Sequence, residues 1–127
     1  MRRIGQPSVG FSLGQAVLAV FLLLETGSVA FAKPAYVGTW ATNGARCKLP
    51  PDTLDAPVVM TYRAYNQFET HCDFRSLKRV RGAWRAPVRC LVEGNRQKDV
   101  LTIWAGARAM SLQWNTAKPR FDYVRCK

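Results

Sequence analysis

Apart from four cysteines, one histidine and eight side-chain carboxylates are all that this chain of 127 residues offers for metal ligation or acid–base chemistry, against 19 lysines and arginines. No C-x-x-C pair occurs among its four cysteines, and a zinc site built around the lone His71 lacks ligands, so no metal and no cofactor is expected. A Ser-His-Asp arrangement would have to bring His71 beside Ser76 or Ser111, and no sequence signal supplies the nucleophile turn or oxyanion donors it needs. Gly82, Gly94 and Gly106 are isolated turn glycines rather than a phosphate-cradling loop. With no catalytic residue to name, the sequence reads as a non-enzyme.

A hydrophobic run long enough to span a bilayer is also missing. The apolar stretch from Val9 to Leu24 is interrupted by Ser12 and Gln15 and closed by Glu25. That is short of the roughly 18 to 20 apolar residues a span requires. Its flanks give it another meaning. Met1-Arg2-Arg3 opens the chain, the run from Ala16 to Leu24 is wholly apolar, and Ala30-Phe31-Ala32 stands just before Lys33, the order of an export signal. The expected organisation is a signal peptide over residues 1–32 and a single domain over 33–127, exported to the periplasm or beyond, with no membrane span in its mature form. No cysteine stands at the cleavage point, which argues against a lipoprotein.

Without the leader, 17 basic and 7 acidic side chains remain, a net charge of +10. A domain of this size buries only about 60 to 65 per cent of its unfolded surface and gains from a covalent staple. Cys47, Cys72, Cys90 and Cys126 all lie in the exported part, and an even count there reads as two disulfides.

No stretch after the leader sustains a helical period, and short runs rich in Val, Thr, Tyr, Phe and Trp recur between polar breaks. Strands are expected over 36–41, 58–65, 67–77, 83–93, 99–104, 109–114 and 121–126. The long break from Thr42 to Pro57 has room for one helical turn at most. The fold class is therefore all-β: a small antiparallel β-barrel or strongly bent sheet of about seven to eight strands with two disulfides, monomeric by default.

Alternation predicts that Phe68, Thr70, Cys72 and Phe74 face the core, with Glu69, His71, Asp73 and Arg75 outside. In the next strand Trp84, Ala86, Val88, Cys90 and Val92 form the inner set, and Arg85, Pro87, Arg89 and Leu91 the outer. A three-residue loop, Val80-Arg81-Gly82, would join the two, with Gly82 left-handed. That register sets Cys72 opposite Cys90, Phe74 opposite Val88, Asp73 opposite Arg89 and Trp84 opposite Lys78. It favours Cys72–Cys90 with Cys47–Cys126, while the pairing 47–72 with 90–126 stays open. Trp40, Trp84, Trp104 and Trp114 are expected in the core, with Met110, Leu112 and Trp114 sharing one apolar face.

Gly38-Thr39-Trp40, followed by Cys47, resembles the opening strand of small exported β-barrels, the lipocalin-like proteins and the bacterial metalloprotease-inhibitor family, whose tryptophan closes the barrel floor. Four cysteines depart from the single disulfide of the inhibitors. A longer likeness runs through Gly38 to Trp40, Cys47, Glu69 to Phe74, Trp84, Cys90 to Gly94 and Arg125-Cys126. In that order the chain resembles uncharacterised small exported four-cysteine β proteins of Gram-negative bacteria. The resemblance implies a periplasmic location and a compact β fold, and no activity.

Two features bear on function. Glu69, His71 and Asp73 would project from one strand face, but a row with one histidine makes an incomplete metal or acid–base site, and Asp73 has a partner in Arg89. Basic residues concentrate on one hairpin: Arg75, Lys78, Arg79, Arg81, Arg85 and Arg89. These six are the candidate anion-binding residues. For an exported protein the available anions are envelope components, lipopolysaccharide, anionic headgroups or acidic polysaccharide, rather than nucleic acid. The expected function is non-enzymatic binding of an anionic envelope component. The alternatives are a small inhibitor or protein partner of an envelope or secreted enzyme and, third, a barrel carrying a small ligand.

Overall fold

The computed structural model describes residues 31–127 together with Gly10, Gly27 and Ser28, so the leader expected over 1–32 lies almost wholly outside the described residues. Within the described part, nine strands follow one another: β1 Gly38–Ala41, β2 Val58–Met60, β3 Ala64–Gln67, β4 Thr70–Phe74, β5 Lys78–Val80, β6 Ala83–Val92, β7 Asn95–Ala105, β8 Ala109–Trp114 and β9 Arg120–Arg125. Eight close into an antiparallel barrel in the order β1-β2-β3-β4-β6-β7-β8-β9 and back to β1. The ninth, β5, lies beyond the end of β4 along the remaining stretch of β6. The long break before β2 holds a 3-10 turn, Gly44–Lys48, capped by the Asn43 side chain, which accepts from the Arg46 N–H. Among the described residues no helix is long and apolar enough to cross a membrane.

The expected all-β barrel is therefore the fold, with more breaks than the hydrophobic pattern announced. The run 58–65 divides into β2 and β3, and Phe68 leaves the predicted inner row because it sits in the β3–β4 turn at φ 36, 42 % exposed. Alternation holds where the strand is long. In β6 Ala86, Val88 and Cys90 are buried while Arg85, Pro87, Arg89 and Leu91 face out. Met110 and Leu112 are buried in β8, with Trp114 packed against the same core.

The β5–β6 hairpin corrects the predicted loop. Arg81 and Gly82 both have positive φ, 50 and 78, which makes a two-residue turn of the primed type that matches strand twist. Near the tip the partners are therefore Val80 with Ala83, Arg79 with Trp84 and Lys78 with Arg85. Farther from the tip the expected register returns: Cys72 opposite Cys90, Asp73 opposite Arg89, Phe74 opposite Val88. One extra residue between Arg75 and Lys78 takes up the difference, a bulge. Its position follows from Pro87. The Pro87 carbonyl accepts from the Arg75 N–H at 2.9 Å, and the N–H and C=O of one strand residue point the same way. The donor that proline lacks would have faced this same arm, and a strand with a missing ladder bond is where a bulge costs least.

Both expected disulfides are present, Cys72–Cys90 with Cα atoms 4.0 Å apart across the hairpin and Cys47–Cys126 tying the 3-10 turn to the segment after β9. Two such bonds suit an oxidising, exported environment.

The closed end of the barrel is filled. Trp40, Tyr36, Val58, Met60, Leu101, Ile103, Met110 and Leu112 are all at most 1 % exposed. Trp40 donates its indole N–H to the Tyr36 carbonyl at 2.8 Å, so its one polar atom is satisfied. Over its ring lies the Arg125 guanidinium, 4.2 Å from the centroid. That group donates to the carbonyls of Ala35, Val37 and Ala107, tying the segment before β1 and the β7–β8 turn to the floor. Gly38 is required here. At φ 149 its added Cβ would stand 2.5 Å from an Arg125 nitrogen that those carbonyls hold in place.

Candidate anion-binding face

β6 and β7 are the two longest strands, joined by a two-residue turn in which Glu93 and Gly94 have φ 49 and 81. Their register places Arg89 opposite Lys98, Leu91 opposite Arg96, Pro87 opposite Val100 and Arg85 opposite Thr102. All the odd-numbered partners on β6 face outward, so these pairs form one outer surface. β4 adds His71 and Asp73 on one side, and β5 adds Lys78 beside Arg85. The result is a face bearing Lys78, Arg85, Arg89, Arg96 and Lys98, every one exposed.

The six residues singled out from sequence do not all belong to it. Arg79 turns to the other side of β5, where its guanidinium stacks 3.9 Å from the Trp84 ring centroid. Trp84 therefore faces Arg79 rather than Lys78, because the tip register differs by one from the expected one. Arg81 occupies the tight turn itself, and Arg75 lies at the start of the bulge. Lys78, Arg85 and Arg89 remain on the outer face. Arg96 and Lys98 were missed, since the polar run Asn95-Arg96-Gln97-Lys98 carries no strand signal of its own. The Glu93-Gly94 turn was the clue that could have found them, because it continues the β6 pairing directly into those four residues.

Opposed like charges dominate the face. Arg89 stands against Lys98, and Lys78 against Arg85, pairings that disfavour folding when nothing intervenes. Asp73 does not neutralise Arg89 as expected. Its carboxylate is 3.0 Å from His71 Nε2, while His71 Nδ1 faces the Asn66 side-chain oxygen. Among the described residues the only Lys or Arg ion pair is Arg46–Asp55, away from the five cations, while the His71–Asp73 contact lies on the face itself, across from Arg89. The row of Glu69, His71 and Asp73 is broken too, because Glu69 lies in the β3–β4 turn. No cluster of three metal-ligating side chains occurs among the described residues.

The face is not flat. A depression of about 670 Å³ is lined by His71, Asp73, Arg89, Leu91, Arg96 and Lys98. Lys98 also borders a second, of about 330 Å³, which shares Arg85 and Val100 with a third of about 280 Å³ beside Lys78 and Pro87.

A separate hollow opens at the unfilled end of the barrel. Inward residues of six strands, among them Tyr65, Thr70, Val92, Gln97, Asp99 and Trp114, line a mouth of about 340 Å³ whose floor is the Cys72–Cys90 bridge. Phe121, paired with buried Leu112, belongs to the inner side yet is 48 % exposed because it stands at this rim. Tyr65 meets Trp114 edge-on at 5.0 Å and donates to Gln67 at 2.8 Å. Burial pushes the phenols of Tyr65 and Tyr123 above their ordinary value of 10.0. Trp104, expected in the core, is instead on the outside, covered by Arg120 at 3.6 Å, since inward Leu101 and Ile103 fix the opposite parity for it.

No family model, curated protein or solved structure matches this chain.

Proposed function

We propose that the protein is a non-enzymatic, exported binding protein that contacts anionic components of the cell envelope, and that it does so through the outer face of β5, β6 and β7 rather than through the hairpin tip alone. One observation carries this reading: Arg89 against Lys98 and Lys78 against Arg85, exposed and making no ion pair, with Asp73, across from Arg89, turned to His71 instead. A fold that retains such pairs bears their repulsion in the free state, and a bound anion relieves it. A net charge of +10 on residues 33–127 draws polyanions from a distance and opposes partnership with a basic enzyme. The two disulfides support an exported location, and the leader favours the periplasm.

The test is a paired substitution. Arg85, Arg89 and Lys98 replaced together by Ser should abolish most binding to lipopolysaccharide or to phosphatidylglycerol vesicles, and wild-type binding should weaken with salt as the screening length falls from about 10 Å at 0.1 M to about 3 Å at 1 M. Lys48, Lys118 and Lys127 replaced together remove the same formal charge elsewhere. Equal losses in both variants would reduce the effect to bulk charge and overturn the assigned face.

The mouth favours a second reading, a small-ligand barrel. Its volume sits at the low end of the roughly 300–1,000 Å³ typical of small-molecule sites, and Gln97, Asp99 and Thr70 put polar groups where a packed barrel interior is apolar. Titration of Trp114 fluorescence with a mixed panel of small amphiphiles, compared with a Trp114→Phe variant, tests it.

A further inference from the structure

Resting on the reading of the outer face as an anion site, we infer that its ligand is an extended chain, an acidic polysaccharide lying along β6, and not a single headgroup or a flat membrane surface. The three depressions adjoin one another through shared walls, Lys98 between the first and second, Arg85 and Val100 between the second and third. Together they follow β6 from Arg85 to Leu91, six residues or about 20 Å at about 3.3 Å per residue.

The order of cations and apolar groups along that path is charged, apolar, charged; the two carboxylates in its walls are engaged by the protein, Asp73 by His71 and Asp99 by the Val100 N–H. Lys78 and Arg85 stand at one end, Pro87 and Val100 form an uncharged step, and Arg89 with Lys98 follow, about 13 Å from Arg85 along the strand. Leu91, 46 % exposed, then stands beside Arg96. A sugar chain presents the matching sequence of anionic groups and C–H faces: carboxylates to the arginines, which accept such groups in bidentate fashion, and ring faces to Pro87, Val100 and Leu91. A lipid bilayer offers its charges in a plane. The outer wall of a closed barrel is convex, so a plane touches only the side-chain ends and leaves the recessed step at Pro87 and Val100 unused. A monovalent headgroup would fill one depression and leave the other basic pair opposed.

The experiment measures affinity of the oxidised, exported protein for oligogalacturonates of increasing length, for neutral chitooligosaccharides of the same lengths, and for phosphatidylglycerol vesicles. Affinity should climb steeply with each added uronate until the oligomer spans about 20 Å, then level off, while the neutral series stays weak. Arg85→Ser with Lys98→Ser, which removes the two cations in the shared walls, should cost the long oligomers at least tenfold and the shortest little, with an unchanged thermal midpoint showing that the variant folds. Affinity independent of length, or vesicles bound as tightly as the longest oligomer, would overturn the extended-chain ligand and leave the anionic face standing. Failure of every anionic probe to bind at low salt would remove the face itself, and this inference with it.

Discussion

Arg125 and Arg89 are the same residue in opposite circumstances. Arg125 sits at the barrel floor with three backbone carbonyls as acceptors and the Trp40 ring beneath it. Arg89 sits on the outer wall facing Lys98, with the nearest acid, Asp73, engaged by His71. The first cation is consumed by the fold; the second is left over. In a chain with 19 basic residues, charge itself does not mark a site, and the distinction lies in which cations have their hydrogen bonds answered from within.

If that contrast is sound, substitutions at the floor must cost stability and substitutions on the wall must not. Trp40→Ala should have the largest effect, about 3–5 kcal/mol, because it empties a fully buried aromatic site. Urea unfolding followed by far-ultraviolet circular dichroism measures it. The floor disulfide comes next. Cys47 and Cys126 are separated by 79 residues and Cys72 and Cys90 by 18, so chain entropy assigns about 4.5 and about 3 kcal/mol respectively, with native strain reducing either. Replacing the first pair by Ser should therefore lower the urea midpoint more than replacing the second. Equal losses would show that the floor is held by packing alone.

Arg125→Ala should cost about 2–3 kcal/mol, the value of hydrogen bonds made by a charged group, and leave anion binding intact. A loss of binding with no loss of stability would invert the comparison. The buried phenols give a subtler readout at the inner side of the barrel. Tyr65 and Tyr123 are raised by desolvation, so the folded state holds their protons more tightly than the unfolded state does. Their contribution is fully present below the ordinary pKa of 10.0 and is lost as pH rises beyond it toward the folded values. Unfolding free energy should be level through neutral pH and fall above about pH 10, and Tyr65→Phe should shrink that fall. The smallest change belongs to the wall. Arg85, Arg89 and Lys98 replaced by Ser should move stability by no more than about 0.5 kcal/mol, upward if at all, since opposed like charges are removed.

Reading the wall from sequence succeeded for β6 and failed for β7. In β6 five inward apolar positions alternate with outward ones that include Arg85 and Arg89, a period that survives because one face is buried. Asn95 to Lys98 have no such pattern. They are a strand only because β6 extends alongside them, so Arg96 and Lys98 were invisible as members of the face. Arg79 was legible as a charge but not as a side: a bulge beside Pro87 shifted the tip by one residue, and a one-residue shift exchanges the two faces of a strand. Trp104 was misplaced for a related reason, since aromatic character argues for burial while parity with Leu101 and Ile103 decides it.

The sequence by itself determined the class of fold and the presence of two disulfides, because alternation and cysteine count are local properties that any β arrangement must respect; it favoured Cys72 opposite Cys90, and the structure decided between the two pairings left open. Only the tertiary structure decided which arginines are used up and which remain. That outcome depends on barrel closure, which brings residues 35, 37 and 107 to Arg125 across as many as 90 positions of chain, while the one acid it sets opposite Arg89, Asp73, is turned to His71. Contacts of that separation leave no periodic trace in the sequence, since they are fixed by the order in which strands meet rather than by the residues within any one of them.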